Sequence, residues 1–197
     1  MTRRRTYLLA CLAAVSCAML PSCSSNARGP YNVQAGEQRD MRKAEELYQQ
    51  AVAAIAGDPE KAKTLLREAL GFDLYHGAAH NNLGVLLLGE GKLYDAAEEF
   101  EWARKLMPGH PEPRVNLAIT LERGGKHGDA IEAAKTALEI RPGHLGALQT
   151  LAYIQIREGM VDKSTKGYLD AIVCRADDAV WRDWASRQRL KLDDVTP

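Results

Sequence analysis

The sequence has few of the residues that usually mark a chemical site. Aromatic residues make up only 6% of the 197 residues, and 26 basic residues balance 26 acidic ones. Such a balance does not indicate a surface for phosphate backbones. A nucleophile elbow, a phosphate-binding loop, an HExxH pattern and paired-cysteine motifs are all missing. We therefore expect no enzyme activity, no cofactor, no nucleic-acid partner and no small-molecule substrate.

Cysteine is equally scarce in the region expected to fold. Cys11, Cys17 and Cys23 fall near the start of the chain, and Cys174 is left without an internal partner. A lone cysteine cannot form an internal disulfide, so the fold must rest on its apolar core. We expect Cys174 to be a small buried hydrophobic residue rather than a reactive thiol.

Acidic residues are absent before Glu37. Residues 1–5 form a basic leader with three arginines, and residues 6–20 form an apolar run that is too short to span a bilayer comfortably. This pattern is typical of bacterial export signals, and it predicts that residues 1–22 are removed.

The end of the apolar run resembles the lipobox of bacterial lipoproteins. Leu20 lies three residues before Cys23, and the small Ser22 lies directly before it. The resemblance implies that Cys23 is lipidated and becomes the first residue of a flexible tether over residues 23–38. Because Ser24 rather than Asp follows, it also implies attachment at the periplasmic face of the outer membrane.

Other interpretations of this region stay open. Pro21 is unusual inside a lipobox, and Cys17, after residues 14–16, offers an earlier processing site. A plain cleaved signal, an uncleaved anchor and a twin-arginine signal at Arg4 and Arg5 are further alternatives.

Beyond the tether the sequence repeats with a spacing of 34 residues. Each copy has Leu followed by a small residue, then Gly, then three further positions of which the first and last are small and the middle one is aromatic in two copies. A closing Pro follows in the first two of these copies, and the last copy has Ala176 there. The landmarks are Leu83, Gly84, Gly91, Ala96, Phe100, Ala103 and Pro108; then Leu117, Ala118, Gly125, Ala130, Ala134, Ala137 and Pro142; then Leu151, Ala152, Gly159, Ser164, Tyr168, Ala171 and Ala176.

This spacing and these residues resemble the tetratricopeptide repeat family. The resemblance implies an all-α fold, a right-handed superhelical stack of antiparallel helix pairs with a C-terminal capping helix. The repeat domain would cover residues 39–178, with copies at 39–76, 77–110, 111–144 and 145–178. Residues 179–197, which include Trp181 and Trp184, would form the capping helix and tail.

The landmark residues have specific expected roles in such a stack. Small residues mark places where two helices cross closely, and glycine ends the first helix of a pair where a left-handed backbone is needed. Proline stops the second helix. In the degenerate first copy, Asp58 and Pro59 should cap and open its second helix.

Several polar residues invite a chemical interpretation that geometry argues against. His76, His110 and His144 recur once per repeat, but helices pack about 8 to 10 Å apart, whereas two zinc ligands each lie about 2.0 to 2.1 Å from the metal. We expect no metal site there, only polar residues at helix starts. We expect Glu98 and Glu99 to be solvated on an outer helix face.

The first helices of the repeats are expected to line a concave groove that binds a protein or peptide, either an amphipathic helix or an extended apolar segment. The residues predicted to face it are Asn81, Val85, Leu88, Val115, Ile119, Glu122, Gln149, Tyr153 and Ile156. The alternative is that these side chains only pack on one another. The groove lacks the Lys and Arg ladder with which chaperone-binding members of the family hold a carboxylate terminus.

Taken together, these features favour a membrane-anchored scaffold or adaptor that binds other cell-envelope proteins. The architecture resembles export-machinery lipoproteins of type IV and tight-adherence (Flp) pilus systems. A general periplasmic chaperone, or a subunit of outer-membrane barrel assembly, is the alternative function.

Overall fold

The computed structural model describes residues 39–195, which contain nine helices and no strand. The helices are α1 (Met41–Ala54), α2 (Pro59–Phe72), α3 (Gly77–Gly89), α4 (Leu93–Leu106), α5 (Glu112–Arg123), α6 (His127–Ile140), α7 (Leu145–Arg157), α8 (Thr165–Arg175) and α9 (Ala179–Val195). Each helix packs on the next, so α1 to α8 form four consecutive pairs. The predicted all-α stack of helix pairs is confirmed. Within residues 39–195, no helix combines the length and hydropathy needed to cross a bilayer.

The first helices of successive pairs lie side by side. α3 contacts α5, and α5 contacts α7, in addition to the contacts that each makes with its own partner. We call the surface formed by α1, α3, α5, α7 and α9 the inner face. The second helices, α2, α4, α6 and α8, each pack against the first helices before and after them.

The turns inside the last three pairs are closed in the same way. Gly91, Gly125 and Gly159 have φ values of 76°, 76° and 67°, the left-handed region that glycine adopts without a Cβ clash. The following amide then donates back into the first helix, as Lys92 N–H does to the carbonyl of Leu87 at 3.0 Å. The predicted helix ends at these glycines are confirmed.

Close helix crossings depend on the predicted small residues. A Cβ added to Gly84 would lie 2.7 Å from Cε1 of Phe100, so α3 and α4 can approach only because residue 84 lacks a side chain. The equivalent residues Ala118 and Ala152 are fully buried, and so are Ala96 and Ala130 on the facing helices. Bulkier side chains would push the helices apart at a cost of about 1–3 kcal/mol.

The first pair is less regular than the others. Asp58 caps α2 as predicted, since its carboxylate accepts the backbone N–H of Lys61 at 3.0 Å. The turn before it differs, because Gly57 does not have a positive φ. Both Gly57 N–H and Asp58 N–H donate to the carbonyl of Ala54, which closes α1 without a left-handed residue.

The last pair departs from the strict spacing by one residue. Ser164 is exposed, whereas Thr165, Leu169 and Ile172 are fully buried. The prediction that Ser164 lies at the helix crossing is therefore wrong, and the core positions predicted at Tyr168 and Ala171 are shifted by the same step. The list of core residues in α8 thus becomes Thr165, Leu169 and Ile172.

A polar network explains this shift. Thr165 Oγ1 donates to Gln155 Oε1 at 3.0 Å, and Gln155 Nε2 donates to Asp162 Oδ2 at 2.7 Å. Asp162 Oδ1 also accepts the backbone N–H of Ser164 at 2.8 Å. These bonds hold a longer turn between α7 and α8, so that Thr165 rather than Ser164 enters the core.

Cys174 is exposed, so the prediction of a buried cysteine is wrong. It lies in the last turn of α8, and the core side of that helix is occupied by Leu169 and Ile172. The apolar character of cysteine was not enough to determine which side of the helix it occupies.

α9 packs against α8 and is the last helix that the structure describes. Ala185 is fully buried there, and Trp181 and Trp184 pack half-buried beside it. Ion pairs from Arg189 to Asp170 and from Lys166 to Asp193 also link α9 to α8.

Candidate binding surface on the inner face

The residues predicted to line the groove lie on first helices, but they differ in accessibility. Val85 and Tyr153 are 45% and 39% exposed, whereas Leu88 and Val115 are only 9% and 6% exposed. The remaining five are half-buried: Asn81, Ile119, Glu122, Gln149 and Ile156. The accessible apolar surface is therefore centred on Val85, Ile119 and Tyr153, while Leu88 and Val115 support it from behind.

A chain of hydrogen-bonded amides crosses the inner face from α1 to α5. Asn116 Nδ2 donates to Asn81 Oδ1 at 3.0 Å, Asn81 Nδ2 lies 3.4 Å from Asn82 Oδ1, and Asn82 Nδ2 lies 3.3 Å from the hydroxyl of Tyr48. All four side chains are half-buried. Each amide carries two N–H groups and a carbonyl, so capacity for further hydrogen bonds remains.

Only Asn81 of this chain was predicted as a groove residue. Asn82 and Asn116 lie 34 residues apart, and Thr150 follows at the same spacing. A polar residue repeating at the period of the stack is the signal that could have identified them, since equal spacing places residues at equivalent positions on neighbouring helices.

Arg157 links three helices at the far end of the inner face. It forms an ion pair with Glu122 on α5, and its guanidinium carbon lies 5.6 Å from the ring centroid of Tyr153 on its own helix. Its Nη2 lies 3.1 Å from Nδ1 of His127, and its Nε donates to Glu158 at 2.7 Å. Since arginine only donates, His127 Nδ1 must accept this bond. Glu122 therefore has a structural role in the groove, because its ion pair holds Arg157 against Tyr153.

Aromatic rings from the capping helix extend this end of the inner face. The ring of Trp184 lies 6.1 Å from that of Tyr153 and 5.3 Å from that of Trp181, the latter edge to face. Beside them is a depression of about 310 Å³, which we call the cap depression. It is lined by Ile119, Glu122, Arg123, Thr150, Tyr153, Ile154 and Trp181.

A buried polar pair ties α3 to α4 behind the inner face. His80 Nδ1 lies 2.7 Å from Glu99 Oε2, and His80 Nε2 lies 2.8 Å from the carbonyl of Leu74. A carbonyl can only accept, so Nε2 carries a proton, and Nδ1 shares a proton with the carboxyl group. The ring also stacks on Trp102, with centroids 5.6 Å apart.

This pair corrects the prediction that Glu99 is solvated, because Glu99 is only 4% exposed. Its neighbour Glu98 is exposed. Residues next to each other on a helix face different directions, and the sequence did not show that Glu99 faces His80. We assign this pair a structural role, since it lies behind the surface.

Two of the recurring histidines cap first helices. Nδ1 of His76 accepts the backbone N–H of Ala79, and Nδ1 of His144 accepts that of Ala147, both at 3.2 Å. Their Nε2 atoms face Glu45 at 3.0 Å and Glu112 at 3.6 Å. In the described part of the chain, no group of three or more His, Cys, Asp or Glu residues is placed to hold a metal ion.

Comparison with protein families identifies the repeat. Residues 56–101 and 86–144 match the model of the tetratricopeptide repeat. No match to a curated protein was found.

Solved structures with the same fold include three informative ones. The first tetratricopeptide domain of Spaghetti (RPAP3), bound to the HSP90 peptide SRMEEVD, superposes with a TM-score of 0.60 and 18% identity, over 63% of this chain and 99% of that domain. MamA of Desulfovibrio magneticus RS-1 gives 0.56 and 22% identity, over 65% and 71%. A mutant O-GlcNAc transferase of Thermobaculum terrenum gives 0.64 and 25% identity, over 72% of this chain but 28% of that enzyme.

These likenesses are consistent with the helix pairs, the glycine-closed turns and the small residues at helix crossings. Such repeats are in general scaffolds for protein interaction rather than catalytic domains, although the O-GlcNAc transferase contains them beside other parts of its chain. The spacing, the fold and the family match together show that residues 56–144 of this chain consist of tetratricopeptide repeats.

Proposed function

We propose that this protein is a lipid-anchored adaptor that holds a peptide segment of another cell-envelope protein along its inner face. The observation that carries the proposal is the composition of that face. Exposed apolar side chains at Val85 and Tyr153 share the inner face with the amide chain that ends at Asn116. Apolar patches bind side chains, and amides can pair with the backbone of an extended segment.

The RPAP3 domain provides a parallel for this mode of binding, since its helix stack holds an HSP90 peptide. The inner face of the present chain offers asparagine amides and aromatic rings, which suit the middle of a peptide better than a terminal carboxylate. We therefore propose an internal segment, extended or amphipathic, as the bound element.

The anchor rests on the sequence of residues 1–38, which lie outside the described residues. Lipidation of Cys23, the export signal over residues 1–22 and the tether over residues 23–38 remain part of the proposal. A chain with two or more acyl groups is held far more firmly than one with a single myristoyl group, whose binding constant is about 10⁴ M⁻¹. Such an anchor would keep the inner face close to the membrane proteins that we propose as partners.

Metabolic labelling with a palmitate analogue tests the anchor. The wild-type chain and Cys17→Ser should incorporate the label, whereas Cys23→Ser should not. Label retained by Cys23→Ser but lost by Cys17→Ser would move the site to the earlier cysteine. A wild-type chain without label would refute the anchor.

Crosslinked capture from cell envelopes tests the inner face. Val85→Glu and Asn116→Ala should reduce the recovery of specific partners, because the first introduces a charge into the apolar surface and the second interrupts the amide chain. Tyr94→Glu is the matched control, since Tyr94 is 83% exposed at the start of α4, away from the inner face. Identical partner sets for all four proteins would refute the proposed surface.

The identity of the captured proteins distinguishes the envelope process. A secretin or pilus subunit would favour assembly of a pilus or secretion apparatus. Many unrelated unfolded proteins would favour a periplasmic chaperone, and barrel-assembly components would favour that machinery.

A further inference from the structure

We infer that the cap depression is a specificity pocket that takes one large apolar side chain of the bound segment, with an acidic residue of the same segment beside it. The inference rests on the proposed function and names the chemistry that the inner face selects. It depends on the capping helix α9, because Trp181 forms one wall of the depression.

The shape and lining of the depression fit an apolar side chain. Its volume of about 310 Å³ lies at the lower end of ligand pockets, which span about 300 to 1,000 Å³. Ile119 and Tyr153 form its sides, and the fully buried Ile154 forms part of its floor. The side chains come from α5, α7 and α9, so the pocket exists only where the last repeat meets the cap.

The walls are already fixed in the free protein. Arg157 binds Glu122 and lies over the ring of Tyr153, while Trp184 packs between Tyr153 and Trp181. An anchor side chain would therefore enter a formed pocket rather than order a flexible one, which lowers the entropic cost of binding.

The charges around the depression favour an acidic residue in the partner. Glu122 is neutralised by its ion pair with Arg157. Arg123 also lines the depression, and it makes no ion pair with another residue among 39–195; its Nη1 donates to the backbone carbonyl of Leu88 at 3.4 Å, which leaves its charge without a carboxylate partner there. One cation at the rim is thus left for the partner, and a carboxylate is the group that complements it.

The experiment uses the exported full chain, purified in detergent, to select from a displayed library of random peptides. We expect the selected peptides to share a large apolar residue with an Asp or Glu within a few positions. Affinities of these peptides are then measured by fluorescence anisotropy. Arg123→Glu should weaken binding about tenfold and should shift the preference from acidic to basic neighbours.

Two variants test the apolar part of the pocket. Trp181→Ala should weaken binding about 30-fold, because anchors in well-packed pockets contribute most of the binding energy. Thr150→Trp fills the depression from its wall without leaving a cavity, and it should weaken binding even if Trp181→Ala disturbs the fold. Lys135→Glu, an exposed change on α6, is the matched control and should leave affinity unchanged.

The outcomes separate this inference from the proposed function. If Val85→Glu weakens binding but Arg123→Glu and Thr150→Trp do not, the inner face binds peptides and the pocket inference is wrong. Selected peptides that lack an acidic residue would also overturn it. If no peptide binds, or if none of the inner-face variants changes affinity, both the pocket and the proposed function fail.

Discussion

The middle and the end of the stack share the same architecture, but the 34-residue spacing predicts the buried residues only in the middle. In residues 77–144 the small residues, glycines and prolines recur at a fixed spacing, and the predicted core positions are the buried ones. In the last pair one residue is added before the second helix, and a network around Thr165 sets which side of α8 is buried. A repeat can therefore depart from the strict spacing where hydrogen bonds in the turn determine which side of the next helix is buried.

Comparison of Phe100→Ala with Tyr168→Ala gives the largest predicted difference. The two residues align at the strict spacing, but Phe100 is fully buried and Tyr168 is only half-buried. Phe100→Ala should lower the free energy of unfolding by about 3–5 kcal/mol, and Tyr168→Ala should lower it by less than half as much. Urea unfolding followed by circular dichroism measures both. Equal losses of unfolding free energy in the two variants would mean that Tyr168 is a core residue, as the strict spacing predicts, and would contradict the one-residue shift in the last pair.

A second comparison concerns the buried pair of His80 and Glu99. The fourth copy has Leu148 at the position of His80, so an apolar residue can occupy that position in the stack. Glu99→Ala should lower the free energy of unfolding by about 3–5 kcal/mol, because it leaves a buried histidine without its carboxylate. Adding His80→Leu should recover part of the loss. If the double variant is no more stable than Glu99→Ala, the two residues are not coupled.

The glycines of the turns distinguish the regular pairs from the first pair. Gly91→Ala should destabilise by about 1–2 kcal/mol, since residue 91 has a φ of 76°. Gly57→Ala should be neutral or stabilise by about 0.4–1 kcal/mol, because Gly57 lacks a positive φ and nothing lies near its added Cβ. Thermal unfolding of both variants checks this. A similar loss in both would mean that the turn of α1 has the same requirement.

The smallest predicted effect is a pH dependence at the junction of the first two pairs. Lys63 on α2, followed by Lys92, lowers the pKa of Glu90 to about 2. Because the folded pKa is depressed, Glu90 stabilises the fold above pH about 4.5, and this contribution is lost as the pH falls towards about 2. Glu90→Gln should therefore flatten the decline of Tm over this range. Glu68→Gln, an exposed change on α2, should not flatten it.

A second acidic residue contributes in the same direction. Burial would raise the pKa of Asp73, but hydrogen bonds from Arg39 and from the backbone N–H of Tyr75 outweigh it and hold that pKa below its usual value. Some acid sensitivity should therefore remain in Glu90→Gln. A variant with no remaining dependence on pH would show that Asp73 does not contribute.

The regular features could be predicted because they depend on local rules. Gly91 predicts a helix end and Gly84 a close crossing, since each requirement concerns the backbone or the absence of a side chain. The errors at Ser164, Cys174 and Glu99 have a different cause. Each depends on which side of a helix faces the core, and a single inserted residue or a distant partner such as His80 can change that side.

The candidate site was predictable only in part. Val85, Ile119 and Tyr153 follow from their positions on first helices, but the amide chain from Asn116 to Tyr48 was not predicted. The cap depression was also not predicted, because its lining combines three helices, and the contribution of Trp181 depends on how α9 packs.

The sequence by itself determined the period, the helix pairs and the turns, because small residues, glycine and proline act within a few residues of where they stand. Only the tertiary structure decided which polar groups are buried, which apolar groups stay exposed on the inner face, and that Trp181 completes a pocket with Ile119 and Tyr153. The physical reason is that burial and pocket shape depend on contacts between residues far apart in the chain, and the local pattern does not specify these contacts.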